Sequence, residues 1–355
     1  MQDIEKIDKN FKLDTEIKKD DIVFYSVLDL PFRVYGLIYE NNKFRRMPED
    51  IAKTVSYGVH CLHSNTSGGR VRFKTDSKYV AISAKMCGIA KMDHFALTGS
   101  AGFDIYVNTD GVDKFNGAFR PPFNITDGYE SVFDFDCKKM REITINFPLY
   151  SDVCELYIGL QKDAAIEEAK PYSCSKPIVY YGSSITQGGC ASRPGNAYPA
   201  IVSRRFDTDF INLGFSGCGC GEQQIADYIA SLDMKMFVFD YDHNAPNAEH
   251  LQKTHEKFFK TVRAANPDLP IIMMSAVTLP RFSDNRAKRR EIIYNTYKNA
   301  KDSGDKNVYF VDGRTLFGDV DPAICTTDRT HPNDLGHYMM AKTLAGVLEG
   351  IGVRW

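Results

Sequence analysis

The spacing of hydrophobic residues changes once along this chain, and the change separates two kinds of architecture. Up to about Leu160, apolar residues alternate with polar or small ones. Val71 and Phe73 lead into Val80, Ile82, Ala84 and Met86. Phe103, Ile105 and Val107 alternate with Asp104, Tyr106 and Asn108, and Ile143, Ile145 and Phe147 repeat the pattern, as do Cys154, Leu156, Ile158 and Leu160. Successive side chains on a strand point to opposite faces. Period two over short stretches broken by Gly, Asn and Asp therefore predicts antiparallel strands with one buried face. The expected product is a jelly-roll-like β-sandwich.

From Ala164 to Pro177 the alternation is lost and Pro171 and Pro177 intervene, which reads as a linker. Beyond it, short apolar runs predict strands at Ile178–Tyr181, Phe210–Leu213, Met236–Phe239, Ile271–Met274 and Val308–Val311. Helices are predicted at Ala197–Arg205, Glu222–Ile229, Ala248–Ala265, Arg286–Lys301 and Leu335–Leu348. Strand and helix in alternation predict a three-layer α/β unit with a parallel sheet covered on both faces. At roughly 150 residues per domain, a chain of 355 residues divides into about two. The expected units are a sandwich over residues 1–165 and an α/β domain over residues 176–355.

Composition excludes several classes of function. Hydrophobic residues make up 43% and charged ones 25%, the balance of a globular chain with a real core. A formal net charge of -2 leaves no electrostatic footprint for nucleic acid. The densest basic cluster, Arg286-Ala287-Lys288-Arg289-Arg290, reads as a solvated helix face. Nine cysteines without CxxC pairs or repeated spacing read as reduced thiols. Met1–Asp20 is rich in Asp, Glu and Lys, so no signal peptide is expected, and no apolar run is long enough to span a bilayer. The expected location is the cytoplasm, with no membrane partner; homo-oligomerisation is left open.

The chemistry-bearing segments follow the predicted strands, at the edge where α/β sheets bind ligands. Ser184 follows the first strand in Gly182-Ser183-Ser184-Ile185-Thr186-Gln187-Gly188-Gly189. Gly217 follows the second and Asn244 the third, in Asp240-Tyr241-Asp242-His243-Asn244. Asp328 and His331 lie beyond the fifth, in Thr327-Asp328-Arg329-Thr330-His331-Pro332-Asn333. A hydroxyl, an imidazole and a carboxylate are what nucleophilic acyl transfer needs, because serine is a poor nucleophile without a base.

Taken singly, each residue has a plainer reading: Ser184 as a helix cap, His331 as a surface histidine, Gly217 as a loop glycine, Asn244 as a helix-start residue. Asp240, Asp242, His243, Asp328 and His331 offer a rival, a divalent metal for phosphoester hydrolysis, but it leaves Ser184 and Gly217 without a role. Cys190, Cys218 and Cys220 are rival nucleophiles, better explained by packing. Gly182 with Gly188-Gly189 lacks the Gly-Lys-Ser/Thr of a phosphate loop.

Ser184, Gly217, Asn244 and His331 match, in order and local context, the four marker residues of the SGNH (GDSL-type) hydrolase superfamily. Gly102-Phe103-Asp104-Ile105-Tyr106 resembles the Gly-x-Asp-Leu-Tyr signature of the branch with an N-terminal β-sandwich. One departure stands out: the aspartate of Gly-Asp-Ser is Ser183 here.

The resemblance implies a flavodoxin-like catalytic domain working without cofactor or metal. Ser184 is then nucleophile, His331 base and Asp328 the orienting acid. The N–H groups of Ser184 and Gly217 with the amide of Asn244 form the oxyanion hole. The implied activity is hydrolysis of short acyl esters, acetyl above all, on a small-molecule or oligosaccharide partner. A lipid acylhydrolase and a carbohydrate-binding protein with an inactive hydrolase domain are the alternatives. Gln187–Gly195 and Ala245–Glu249 read as small polar loops without a lipase lid. Tyr106, Tyr198 and Tyr241 are candidates for stacking on sugar. His60, His63 and His94 read as structural, with His94 lining a pocket if the sandwich leans over the site.

Overall fold

The computed structural model describes residues 16–277 and 283–352, so most of the charged Met1–Asp20 segment lies outside the described residues. The N-terminal half contains β1 (Ile22–Ser26), β2 (Arg33–Tyr35), β3 (Ile38–Glu40), β4 (Lys43–Arg45), β5 (Arg70–Thr75) and β6 (Tyr79–Gly88). There follow β7 (Phe103–Thr109), β8 (Val112–Phe119), β9 (Gly128–Asp134), β10 (Arg141–Asn146), β11 (Asp152–Gln161) and β12 (Ile166–Glu167). One sheet runs β1-β11-β6-β9; the other runs β12-β5-β10-β7-β8, with β2 also on β5. All of these pairings are antiparallel. Phe73, Ile82, Ile105, Ile143 and Ile158 from the facing sheets close a common core, as the alternation predicts.

The pattern misreads one strand. Between Val153 and Glu155 the register of β11 against β6 shifts, so a bulge takes up Cys154. Val153 enters the core in place of Cys154, whose side chain turns to the other face and forms a disulfide with Cys87 of β6. The expectation of nine reduced thiols is corrected there. The other seven cysteines are free.

A second correction concerns helices in the N-terminal half. α1 (Glu49–Val55) and α2 (Tyr57–Leu62) leave the sandwich, and Met47, Ala52 and Val59 pack with Phe215, Ile225 and Tyr241 of the other unit. Arg46 is buried beside them, and its guanidinium donates to the carbonyls of Asn212, Gly214 and Leu62. The linker is also partly structured: Ile166 pairs with Thr75, and Tyr172 is buried against Arg70 and Arg72. A short helix, α3 (Leu97–Ser100), precedes β7.

The C-terminal unit is a five-stranded sheet of β13 (Cys174–Gly182), β14 (Thr208–Gly214), β15 (Met236–Asp240), β16 (Ile271–Met274) and β17 (Val308–Val311). Its order is β14-β13-β15-β16-β17, parallel throughout. β15, β16 and β17 are apolar at nearly every position because both faces of the sheet are covered. Val179, Tyr181, Phe237 and Phe239 face one helical layer, while Ile178, Tyr180, Met236 and Val238 face the other. The helices are α4 (Ser184–Gln187), α5 (Tyr198–Phe206), α6 (Gln223–Ala230), α7 (Ala248–Ala265), α8 (Ser283–Asp302) and α9 (Asp334–Gly350).

In α7, Leu251, His255, Phe258, Phe259 and Val262 recur every three or four residues and bury one stripe, and Asn247 caps its start by accepting from His250 N–H at 2.8 Å. Among the described residues no helix is long and apolar enough to cross a membrane. Arg289 departs from the solvated-face reading of α8. It is buried and donates to the carbonyls of Asp242 and Ala245.

Candidate active site

Gly182 pairs with both Gly214 and Asp240, so β14, β13 and β15 end level with one another where the strand order reverses. Ser183 leaves β13 as the cap of α4, its hydroxyl accepting from Ile185 N–H at 3.2 Å. Serine and aspartate both cap well, so the departure from Gly-Asp-Ser leaves the turn formed. Gly182 is needed for space: a Cβ there would collide with Thr186 Oγ1 and the Asp240 carbonyl.

Ser184 opens α4, where its N–H has no acceptor one turn back. Its hydroxyl lies 2.9 Å from His331 Nε2. His331 Nδ1 lies 2.7 Å from Asp328 Oδ2, while Asp328 Oδ1 accepts from the backbone N–H groups of Thr330 (3.0 Å) and His331 (2.8 Å). Arg329 takes a left-handed φ of 70°, which folds the carboxylate back onto these donors. Burial works to raise the Asp328 carboxyl; the backbone N–H and imidazole of His331 outweigh it and hold the group below the usual carboxylate range. The Asn333 side chain caps α9 directly after the loop, accepting from Gly336 N–H at 3.1 Å.

The oxyanion-hole candidates belong to one connected loop system. Gly217 has φ +67°, and a Cβ there would meet open space, so backbone conformation and not crowding selects glycine. Asn244 donates to Phe215 O at 2.8 Å, which uses one of its two amide hydrogens. Gln187, at the end of α4, accepts from Ser216 N–H at 3.0 Å, tying the Gly217 loop to the Ser184 helix.

Residues 175–349 match the GDSL-like lipase/acylhydrolase family, and residues 22–166 match the GxDLY N-terminus of SGNH-hydrolase-type esterases. The chain belongs to the GDSL-like acylhydrolases. A protein of Bacteroides ovatus ATCC 8483 described as a GDSL-like lipase is 29% identical, with a TM-score of 0.85 over 94% of this chain and 99% of that one. A salicylyl-acyltransferase from a tetracycline biosynthetic pathway shares the fold at 21% identity and a TM-score of 0.77, covering 95% and 100% of the two chains. An acetyl xylan esterase from the rumen bacterium Butyrivibrio proteoclasticus shares it at 13% and 0.60, covering 93% and 98%. No curated protein sequence matches the chain.

In this acylhydrolase the GxDLY segment is a junction between the two units. Asp104 is fully buried on the outer face of β7 and accepts from Asn146 Nδ2 (2.7 Å), Gly195 N–H (2.8 Å) and Arg193 Nη1 (3.2 Å). The Tyr106 hydroxyl meets the same guanidinium. Both faces of β7 are therefore buried, one by the sandwich core and one by the segment after α4.

The sandwich also reaches Ser184 and α4. Tyr150 donates to the Ser184 carbonyl at 3.0 Å, and Gln187 Nε2 donates to Asn65 Oδ1 (3.0 Å) and to Leu149 O (3.2 Å). Asn65 in turn donates to Asp152 Oδ1 at 2.8 Å. The sequence offered no signal for Tyr150 or Asn65, because neither belongs to a motif. The His94 ring leans against His331, centroids 5.6 Å apart.

Several sequence candidates take other places. Tyr198 and Tyr241 are core residues, their hydroxyls meeting Asp240 Oδ2 and Thr254 Oγ1, and Tyr106 is buried under Arg193 and Arg204. None of the three can stack on a sugar. Gln187–Gly195 is largely buried, with Cys190 and Ala191 packed among Phe95, Leu149 and Tyr150. His63 is buried between Arg45 and the His60 carbonyl. His60 stacks on His63, with ring centroids 5.3 Å apart.

Asp240 and Asp242 point into the protein, accepting from Thr186 Oγ1 at 3.2 Å and Ala276 N–H at 2.9 Å respectively. Burial, and each other's charge in the case of Asp240, push their carboxyls up to about 7 and about 6. Among the described residues the five proposed metal ligands do not gather around one point; His94, Cys190 and His331 do. Burial pushes the Cys190 and Cys220 thiols up to about 11 and raises that of Cys218, which keeps all three protonated and poor as nucleophiles.

Proposed function

We propose that this chain is a serine esterase removing short acyl groups, acetyl foremost, from oxygen esters of carbohydrates. The observation that carries the reading is the unbroken relay from Ser184 Oγ through His331 to Asp328, at 2.9 and 2.7 Å. Ser184 Oγ attacks the ester carbonyl as its proton passes to His331 Nε2. The oxyanion is held by the N–H groups of Ser184 and Gly217 and the remaining amide hydrogen of Asn244. Such a donor contributes about 3–4 kcal/mol to the transition state. His331 then gives the proton to the departing alkoxide, and water repeats the sequence on the acyl-serine. Asp328 is within reach to fix the tautomer with Nδ1 protonated.

The preference for short acyl groups rests on the surroundings of Ser184. The segment after α4 is closed down by the sandwich, and a long acyl chain without a continuous apolar groove forgoes about 0.8 kcal/mol per methylene left in water. Kinship in fold with an acetyl xylan esterase supports the sugar half of the reading.

Labelling with an alkyl fluorophosphonate and mapping the adduct tests the nucleophile. The adduct is expected on Ser184, and Ser184→Ala is expected to keep its fold and lose turnover by roughly 10³-fold or more. An active, folded Ser184→Ala variant would end the reading. A series of nitrophenyl esters beside acetylated xylo- and manno-oligosaccharides tests the substrate. Preference for octanoate, with no acetate released from any sugar, would redirect it to lipid esters.

A further inference from the structure

His94, Cys190 and His331 come from three separate segments: the connection between β6 and β7 of the sandwich, the loop after α4, and the loop before α9. One ligand atom from each lies within 4.8 Å of the others. We propose that these three side chains form a site for a soft divalent cation of the zinc class, and that filling it switches off the hydrolase.

Imidazole nitrogen and thiolate sulfur are the donors such a cation selects, and three protein ligands leave a fourth position to water. Zinc bonds of about 2.0–2.3 Å set tetrahedral donors roughly 3.3–3.8 Å apart, so the cluster needs to close by about 1 Å. His94 is exposed and can supply that movement. Each histidine already has a carboxylate against Nδ1, Asp93 Oδ1 at 3.2 Å for His94 and Asp328 Oδ2 at 2.7 Å for His331. A carboxylate behind the ring is the usual outer support of a metal-binding histidine and turns Nε2 toward the ion. Cys190 holds a left-handed φ of 66°, a conformation uncommon outside glycine, and its sulfur lies 3.5 Å from the His94 carbonyl. The thiol loses its proton to solvent as the metal–sulfur bond forms.

Inhibition follows from His331. Either of its nitrogens taken by the ion is lost to a present partner, Ser184 on one side or Asp328 on the other. The inhibitory half of the proposal rests on the esterase reading; the binding half does not.

The full chain is titrated with Co²⁺ and followed by thiolate-to-cobalt absorption, and nitrophenyl acetate hydrolysis is titrated with Zn²⁺ and reversed with EDTA. The expected result is a thiolate–cobalt band in the wild type that is absent in Cys190→Ser. His94→Ala and Cys190→Ser are expected to hydrolyse ester normally in metal-free buffer. Their half-inhibiting zinc concentration should rise by about 10–100-fold. His94 lies at the surface, so its variant stays informative if Cys190→Ser fails to fold. No cobalt band in the wild type, or equal zinc sensitivity in wild type and both variants, overturns the proposal. Cobalt binding without ester hydrolysis would instead sink the esterase reading and leave the site standing.

Discussion

At the residue scale the site depends on a short local unit. Asp328 and His331 are three residues apart, and one carboxylate serves the imidazole and two backbone N–H groups. Asp328→Asn keeps the shape and removes the charge that favours the Nδ1-protonated tautomer. We expect kcat to fall by up to about 10⁴-fold with KM little changed. Measured kcat equal to wild type would remove Asp328 from the relay. The carboxyl is held below its ordinary range when folded, so this group contributes stability above the unfolded-state pKa and loses it as pH falls through the folded value. This unit was readable from sequence because the spacing is local and the motif is continuous. Tyr198 and Tyr241 were not readable as core residues, since a tyrosine at the start of a helix or just past a strand looks the same whether its ring faces the protein or water.

At the element scale, α4 is a single turn, too short to hold a position by itself. It is held by Gln187, whose side chain meets the Gly217 loop on one side and two sandwich residues on the other. Gln187→Leu fills similar volume but leaves Ser216 N–H and Leu149 O without their partner. We expect a stability loss of about 1–3 kcal/mol by denaturant titration. A fall in kcat without a matching rise in KM should accompany it, because the Gly217 loop loses its anchor. A kcat unchanged from wild type would show that the loop holds its geometry without Gln187. The bulge in β11 belongs to the same scale. One extra residue reverses which side chains face the core, so strict alternation placed Cys154 inside and hid its partnership with Cys87.

For the whole molecule, the two halves share one structure. Met47, Ala52 and Val59 fill part of the α/β core, and Asp104 and Arg46 bind across the junction. Residues 176–355 expressed alone are therefore expected to lose cooperative unfolding and esterase activity, read by circular dichroism and nitrophenyl acetate hydrolysis. An active, cooperatively folding fragment would contradict this.

The pH dependence is also collective. Burial depresses His63 and His337 to about 4 and His243 and His255 to about 3, so each stays neutral in the fold and takes a proton when unfolded. These four contribute stability above the unfolded histidine pKa and lose it on acidification; raised Asp240 and Asp242 act in the opposite direction. The histidines outnumber the carboxylates, so the urea midpoint should fall between pH 6 and about pH 4.5. A flat or rising midpoint would refute the balance.

The sequence by itself determined the two fold classes and the strand and helix positions of the α/β unit, and it singled out Ser184, Asp328 and His331, which the fold brings within hydrogen-bond reach of one another. Each of these is written in local periodicity or in a short contiguous motif. Only the tertiary structure decided that helices from the N-terminal half complete the α/β core, that β7 is buried on both faces, and that Tyr150 and Asn65 of the sandwich hold α4 in place. The physical reason is common to all of them. A side chain buried by a distant segment carries no periodic mark of that burial, because the partner surface exists only once both units have folded together.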